Sequence, residues 1–99
     1  MERSIKIEYS KTAATIIRHL PPSAKGPVRH LIEQLSTQPC LGKPLRDELE
    51  GYRSHRYNRY RVIYCYHEDK KLIEIIFAGQ RADVYSLFSR YLKTQKKKQ

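Results

Sequence analysis

The first apolar pattern in the chain has a period of two. Ile5, Ile7 and Tyr9 alternate with Ser4, Lys6 and Glu8, which predicts a half-buried strand over Arg3 to Tyr9. After Ser10 the period lengthens: Ala13, Ile16, Ile17 and Leu20 fall on one helical stripe, Ser10 is placed to cap it, and Pro21 and Pro22 end it. A second stripe of Val28, Leu31, Ile32 and Leu35 predicts a helix capped by Ser23, with Pro27 in its first turns. Together these form an αα-hairpin. Pro39, Gly42 and Pro44 mark residues 37–44 as a loop, and the charged segment 45–51 ends at Gly51. Periodicity then returns to two over Tyr52 to Tyr57, Arg59 to Tyr66 and Leu72 to Ala78, with turns at Asn58 and at His67 to Lys71. Gly79 permits a tight exit. Asp83 can cap a final helix to Lys93, whose stripe is Val84, Leu87, Phe88, Tyr91 and Leu92.

The order β-α-α-β-β-β-α defines an α+β fold: an antiparallel sheet with an N-terminal helical hairpin and a C-terminal helix. The hairpin covers one sheet face and leaves the other free for function. Residues 1–92 form the single domain, and residues 93–99, KTQKKKQ, have nothing to bury and are expected to be a disordered basic tail.

Composition changes the picture in one respect. Of 99 residues, 20 are Lys or Arg and 10 are Asp or Glu, a formal net charge of +10. Residues 1–50 contribute only two of those charges and residues 51–99 contribute eight. So small a chain excludes a two-domain enzyme, and its field attracts phosphate polyanions, anionic lipid or an acidic protein segment. No stretch reaches the ~20 apolar residues of a membrane span and no secretory signal opens the chain, so a cytoplasmic protein without membrane contact is expected. Cys40 and Cys65 lack disulfide or zinc spacing and read as reduced packing residues. No metal or other cofactor is expected, and no GxxxxGK, GxSxG or HExxH pattern occurs.

The candidate chemistry lies where charge meets aromatic residues. Alternation places Arg53, His55 and Tyr57 on one face of their strand and Tyr52, Ser54 and Arg56 on the other. Neither face carries an aliphatic residue. Cations interleaved with Tyr suit phosphates and stacked bases, although arginines also guard an edge strand against sheet-to-sheet association. Arg61 is a cation inside the apolar strand YRVIYCY, where it meets either a phosphate at the free face or a carboxylate such as Glu74. Tyr85 is turned about 100° from Val84 on the final helix, so its hydroxyl is accessible or the ring sits at the edge of the core. Arg59, in a turn, is solvated, His19 and His30 lie on the helices away from the basic strands, and His67 sits in a turn.

With YRVIY at Tyr60 to Tyr64 and GQRADVY at Gly79 to Tyr85, the chain from Ile5 to about Leu92 resembles the RelE/ParE superfamily of bacterial toxin–antitoxin toxins, in its RelE-like branch. That resemblance implies a ribosome-dependent endoribonuclease that cuts mRNA in the decoding site, with a cognate antitoxin protein, the ribosome and mRNA as partners. Arg61, Arg81 and Tyr85 match the strand arginine, the arginine before the last helix and the tyrosine after it. Two catalytic strand lysines of the best-known member have no Lys equivalent here. A one-residue shift puts Arg53 and His55 in their places, and an ungapped match puts Tyr52 and Ser54 there.

Metal-independent RNA cleavage requires deprotonation of the 2′-OH, stabilisation of the phosphorane and protonation of the 5′-oxygen. On the resemblance, His55 is expected as general base, Arg61 and Arg81 as phosphorane stabilisers, Tyr85 as the stacking residue and Arg53 as added charge. Arg56, Arg59 and Tyr57, with Lys96, Lys97 and Lys98, are expected to bind RNA. Two rivals predict other behaviour: the ParE branch inhibits DNA gyrase without cutting RNA, and a nonenzymatic basic domain binds RNA or a partner without cleavage.

Overall fold

The computed structural model describes residues 5–80 and 83–97. Its elements are β1 (Lys6–Tyr9), α1 (Lys11–Arg18), α2 (Pro22–Thr37), β2 (Lys43–Pro44), β3 (Arg53–Tyr57), β4 (Tyr60–His67), β5 (Leu72–Gln80) and α3 (Asp83–Lys97), with a 3₁₀ turn at Asp47–Leu49. The strands form one sheet in the order β1-β5-β4-β3-β2. None of the described helices is long and apolar enough to cross a membrane.

The expected α+β order and the antiparallel β3-β4-β5 meander are present. Two corrections concern the sheet. β1 pairs with β5 in parallel, so the sheet is mixed; alternation reports which face a strand buries, not its direction or neighbour. Tyr9, expected on the inner face, is 48% exposed at that edge. β2 was not expected, because its two residues carry no periodicity; only its pairing with Ser54 and Arg53 makes it a strand.

Ser10 caps α1 as expected, accepting from Ala13 N–H at 3.0 Å, and its hydroxyl donates to Ile76 C=O at 2.8 Å. α2 instead begins at Pro22 with Pro21 as its cap, so Ser23 is already helical. Proline suits a first-turn position, where its missing N–H would have no intrahelical partner. α3 continues four residues beyond Lys93 into the expected tail; Lys and Gln are good helix formers, and no Gly or Pro stops it.

Two clusters fill the two faces of the sheet. Val28, Leu31, Ile32 and Leu35 of α2 pack on Val62, Tyr64, Ile73, Ile75 and Ala78, while Val84 and Phe88 of α3 pack on Ile63 and Phe77. A register shift at Ile63/Tyr64 pairs Ile63 with Phe77 and Tyr64 with Ile75, leaving Ile76 unpaired between them. That bulge turns the run of apolar residues in β5 toward both cores. The face expected to be free therefore carries α3 over β5, and among the described residues its β2-β3 end stays open.

Gly79 belongs to β5 rather than to a tight exit. A Cβ there would lie 2.8 Å from Val84 Cγ2, so its lack of a side chain lets α3 approach the sheet.

Tyr64 is fully buried, donates to Pro39 C=O at 2.7 Å and accepts from Gly42 N–H at 3.0 Å. Both backbone groups belong to the loop before β2. Tyr64→Phe should cost about 1–3 kcal/mol through the polar groups left unpaired, read as a lower urea midpoint; an unchanged midpoint would show that water replaces the hydroxyl.

Candidate nucleic-acid interface

Register decides which side chains share the open end of the sheet. Arg56 is directly opposite Arg61, and Ser54 lies between Lys43 on one side and Ile63 on the other. Ile63 belongs to the α3 core, so Ser54, Arg56 and Arg61 share the α3 face. There they line a groove of about 310 Å³ with Leu41, Lys43 and Tyr85.

Tyr85 stands over this groove because Val84 and Phe88 anchor α3 beneath it. Its hydroxyl and Ser54 Oγ are hydrogen-bonded at 3.0 Å, and the Arg61 guanidinium carbon lies 5.7 Å from its ring centroid. That is the distance of a cation–π contact. Arg61 Nη1 is buried with no hydrogen-bond partner among the described residues. The carboxylate alternative for Arg61 is not realised: Glu74 faces Cys65 in the ladder and pairs with His67 at 3.3 Å.

Like charges directly across a ladder are destabilising, yet Arg56 opposes Arg61 and Lys43 joins them, and no carboxylate lines the groove among the described residues. Folding alone does not favour such a cluster. It does favour an anion that accepts from several planar donors at once.

The other expected site residues are placed elsewhere. Arg53, His55 and Tyr57 alternate onto the α2 face, because β3 is a regular strand and Ser54 and Arg56 occupy the opposite one. Arg53 Nη1 donates to Gly42 C=O at 2.7 Å, holding the loop before β2. His55 borders the groove, but its Nε2 is bonded to Gln34 Oε1 of α2 at 3.0 Å. The Tyr57 ring lies 4.7 Å from that of His30. Arg53 and His55, which the one-residue shift puts in the place of the family's lysines, therefore lie on the face opposite Arg61, and Ser54, of the ungapped match, stands in the groove. Arg59 is exposed in the β3-β4 turn beside Asn58, whose φ of 57° is left-handed. Lys96 and Lys97 fall in the last turn of α3. Arg81 and Lys98 lie outside the described residues. Cys40, expected to pack, is exposed; Cys65 is partly buried, and burial pushes its thiol up to about 11.

Lys43 and Leu41 were missed by sequence reasoning. Both precede or lie in the two-residue strand β2, which has no pattern of its own; Gly42 between them, with no room for a Cβ beside Tyr64 and Ser54 C=O, is the only local signal.

Burial, reinforced by the nearby charge of His30, holds the His55 imidazole below its usual value. The unfolded chain then takes up that proton more readily than the folded one, so this contribution to stability is complete above about pH 6.5 and is lost as pH falls toward the lower folded value. The melting temperature should drop between about pH 7 and pH 5, with a smaller drop in His55→Gln. An equal drop in the variant would assign the acid sensitivity to other groups.

An α+β domain with a helical hairpin on one face of a five-stranded mixed sheet and a C-terminal helix on the other has the architecture of the RelE-like toxins. The match to known proteins agrees. Residues 7–85 fit the family described as ParE toxin of type II toxin–antitoxin system, parDE. Toxin RelE of Mycobacterium tuberculosis is 35% identical over 83 residues, covering 82% of this chain and 86% of its own, and toxin RelG of the same organism is 33% identical over 81 residues, covering 80% and 93%. The RelBE2 toxin–antitoxin complex of M. tuberculosis superposes with a TM-score of 0.73 at 30% identity, over 80% of this chain and all of that one. Isolated E. coli RelE shares the fold at 17% identity, with a TM-score of 0.68 over 89% of this chain and 98% of its own. The chain belongs to this family: it is a type II toxin–antitoxin toxin of the RelE/ParE superfamily.

Proposed function

We propose that the chain is a ribosome-dependent endoribonuclease that cuts mRNA by attack of the 2′-OH on the adjacent phosphate. The observation that carries this reading is the cross-strand pair Arg56–Arg61 beneath Tyr85, with no carboxylate among the described residues lining its groove. In this mechanism the scissile phosphate sits on Arg61 and Arg56, whose donors stabilise the charge of the pentacoordinate intermediate. Lys43 adds charge from the groove edge. Ser54 fixes the Tyr85 hydroxyl, so that the ring stacks on or orients the neighbouring nucleotide. Arg81 keeps the phosphate role its sequence position gives it.

Guanidinium groups are poor proton carriers. On the α3 face Lys43 and Tyr85 carry exchangeable protons, and most of the acceleration comes from charge stabilisation and from the ribosome holding the 2′-OH in line. His55, whose Nε2–H donates to Gln34 Oε1 on the α2 face, would accept a proton at Nδ1. A cognate antitoxin is the expected partner, since the M. tuberculosis relative RelBE2 is a toxin–antitoxin complex, and the cytoplasm, where ribosomes translate, is the place of action.

A second reading is the one the resemblance attaches to the ParE branch, inhibition of DNA gyrase, and the matching family model is described as ParE toxin. Purified toxin should be given to translating ribosomes with primer extension of the mRNA, and in parallel to gyrase in a supercoiling assay. New mRNA 5′-ends with supercoiling unaffected are expected. Blocked supercoiling with intact mRNA would replace this reading by the gyrase one.

A further inference from the structure

Tyr85 is a wall shared by two grooves. On its far side, a second groove of about 530 Å³ runs between the 3₁₀ turn Asp47–Leu49 and α3, lined by Arg46, Glu48, Ser86, Ser89, Arg90 and Lys93, together with Asp47 and Leu49. Ser86, Arg90 and Lys93 are spaced four and three residues apart, so they form one stripe of α3. Arg46, Arg90 and Lys93 are exposed. Although Asp47 and Glu48 are close by, no carboxylate among the described residues lies within ion-pair distance of these three cations. Glu48 instead accepts from Ser89 Oγ at 3.4 Å. Among the described residues, the cations therefore face the groove without a carboxylate partner.

From Tyr85 to Lys93 the helix advances about 12 Å, the length of three to four stacked nucleotides at ~3.4 Å each. A basic groove leading away from an aromatic platform is the form in which single strands are held. We propose that this groove is a second RNA site, in which Arg90, Lys93 and Arg46 hold the backbone of the nucleotides flanking the scissile phosphate. The inference rests on the endoribonuclease reading for the direction of the strand. Its test does not need cleavage.

Binding of a fluorescein-labelled single-stranded hexanucleotide RNA should be followed by anisotropy as a function of salt. The double variant Arg90→Ala/Lys93→Ala is expected to reduce the slope of log affinity against log salt by about 1.4, two phosphate contacts at ~0.7 each. The control Lys25→Ala/Arg29→Ala removes the same charge from exposed positions on α2 and should leave the slope unchanged. Equal slopes in the α3 variant and wild type, equal losses in both double variants, or no hexanucleotide binding by the wild type would overturn the proposal. Arg61→Ala should separately lose about 0.7. If it loses nothing while the α3 variant does, the second groove stands and the cleavage-site assignment fails.

Discussion

Arg61→Ala is expected to slow cleavage of ribosome-bound mRNA by roughly 10²–10³-fold, the usual cost of removing one pre-aligned donor to a developing anion. The expectation comes from where the guanidinium is held. It lies beside the Tyr85 ring at 5.7 Å, opposite Arg56 in the ladder, with a buried Nη1 that no described residue satisfies. On the proposed mechanism, such a donor is paired by the scissile phosphate. Stability should respond differently, because removing Arg61 relieves a cross-strand like-charge contact and a buried unpaired atom. The melting temperature should stay level or rise while activity falls. Arg61→Lys keeps the charge but not the planar fork and should recover only a small part of the rate. Full activity in Arg61→Ala at intact fold would remove the residue from the mechanism.

The second large effect is on the fold. Phe88→Ala should cost about 3–5 kcal/mol, as large-to-small changes of buried aromatics do, against a total stability of about 5–15 kcal/mol for a small domain. Phe88 is fully buried and meets Tyr52 edge-on at 5.0 Å, with Phe77 at 5.4 Å and Tyr91 at 6.1 Å. It is the main anchor of α3, and α3 carries Tyr85. Urea unfolding should show the loss directly. Activity should fall as well even in the fraction that remains folded, because Tyr85 then loses its fixed distance from Ser54 and Arg61. A stability loss below about 1 kcal/mol would mean that α3 is held chiefly by Val84 and the close approach at Gly79.

Much of this arrangement was legible in the chain. The period changes at Ser10, Tyr52 and Asp83 located the helices and the meander, Arg61 was marked as a cation inside an apolar strand, and Tyr85 as an aromatic residue turned about 100° from the apolar stripe. What escaped is pairwise. Whether Arg53 or Ser54 joins Arg61 depends on register, and alternation within one strand leaves that open until the partner strand is fixed. The direction of β1 and the existence of β2 are likewise properties of pairs. The bulge at Ile76 also hid the switch of β5 between two cores, since a run of aliphatic residues reads alike on either face.

The reaction itself is tested most directly by the sugar at the cut. Two mRNAs programmed into ribosomes, identical except for ribose or 2′-deoxyribose on the 5′ side of the mapped cleavage position, should be given to wild-type toxin. Attack by the 2′-OH predicts cleavage of the first, with a 2′,3′-cyclic phosphate on its upstream fragment, and none of the second at that position. Equal cleavage of both, or cleavage of neither, would contradict it.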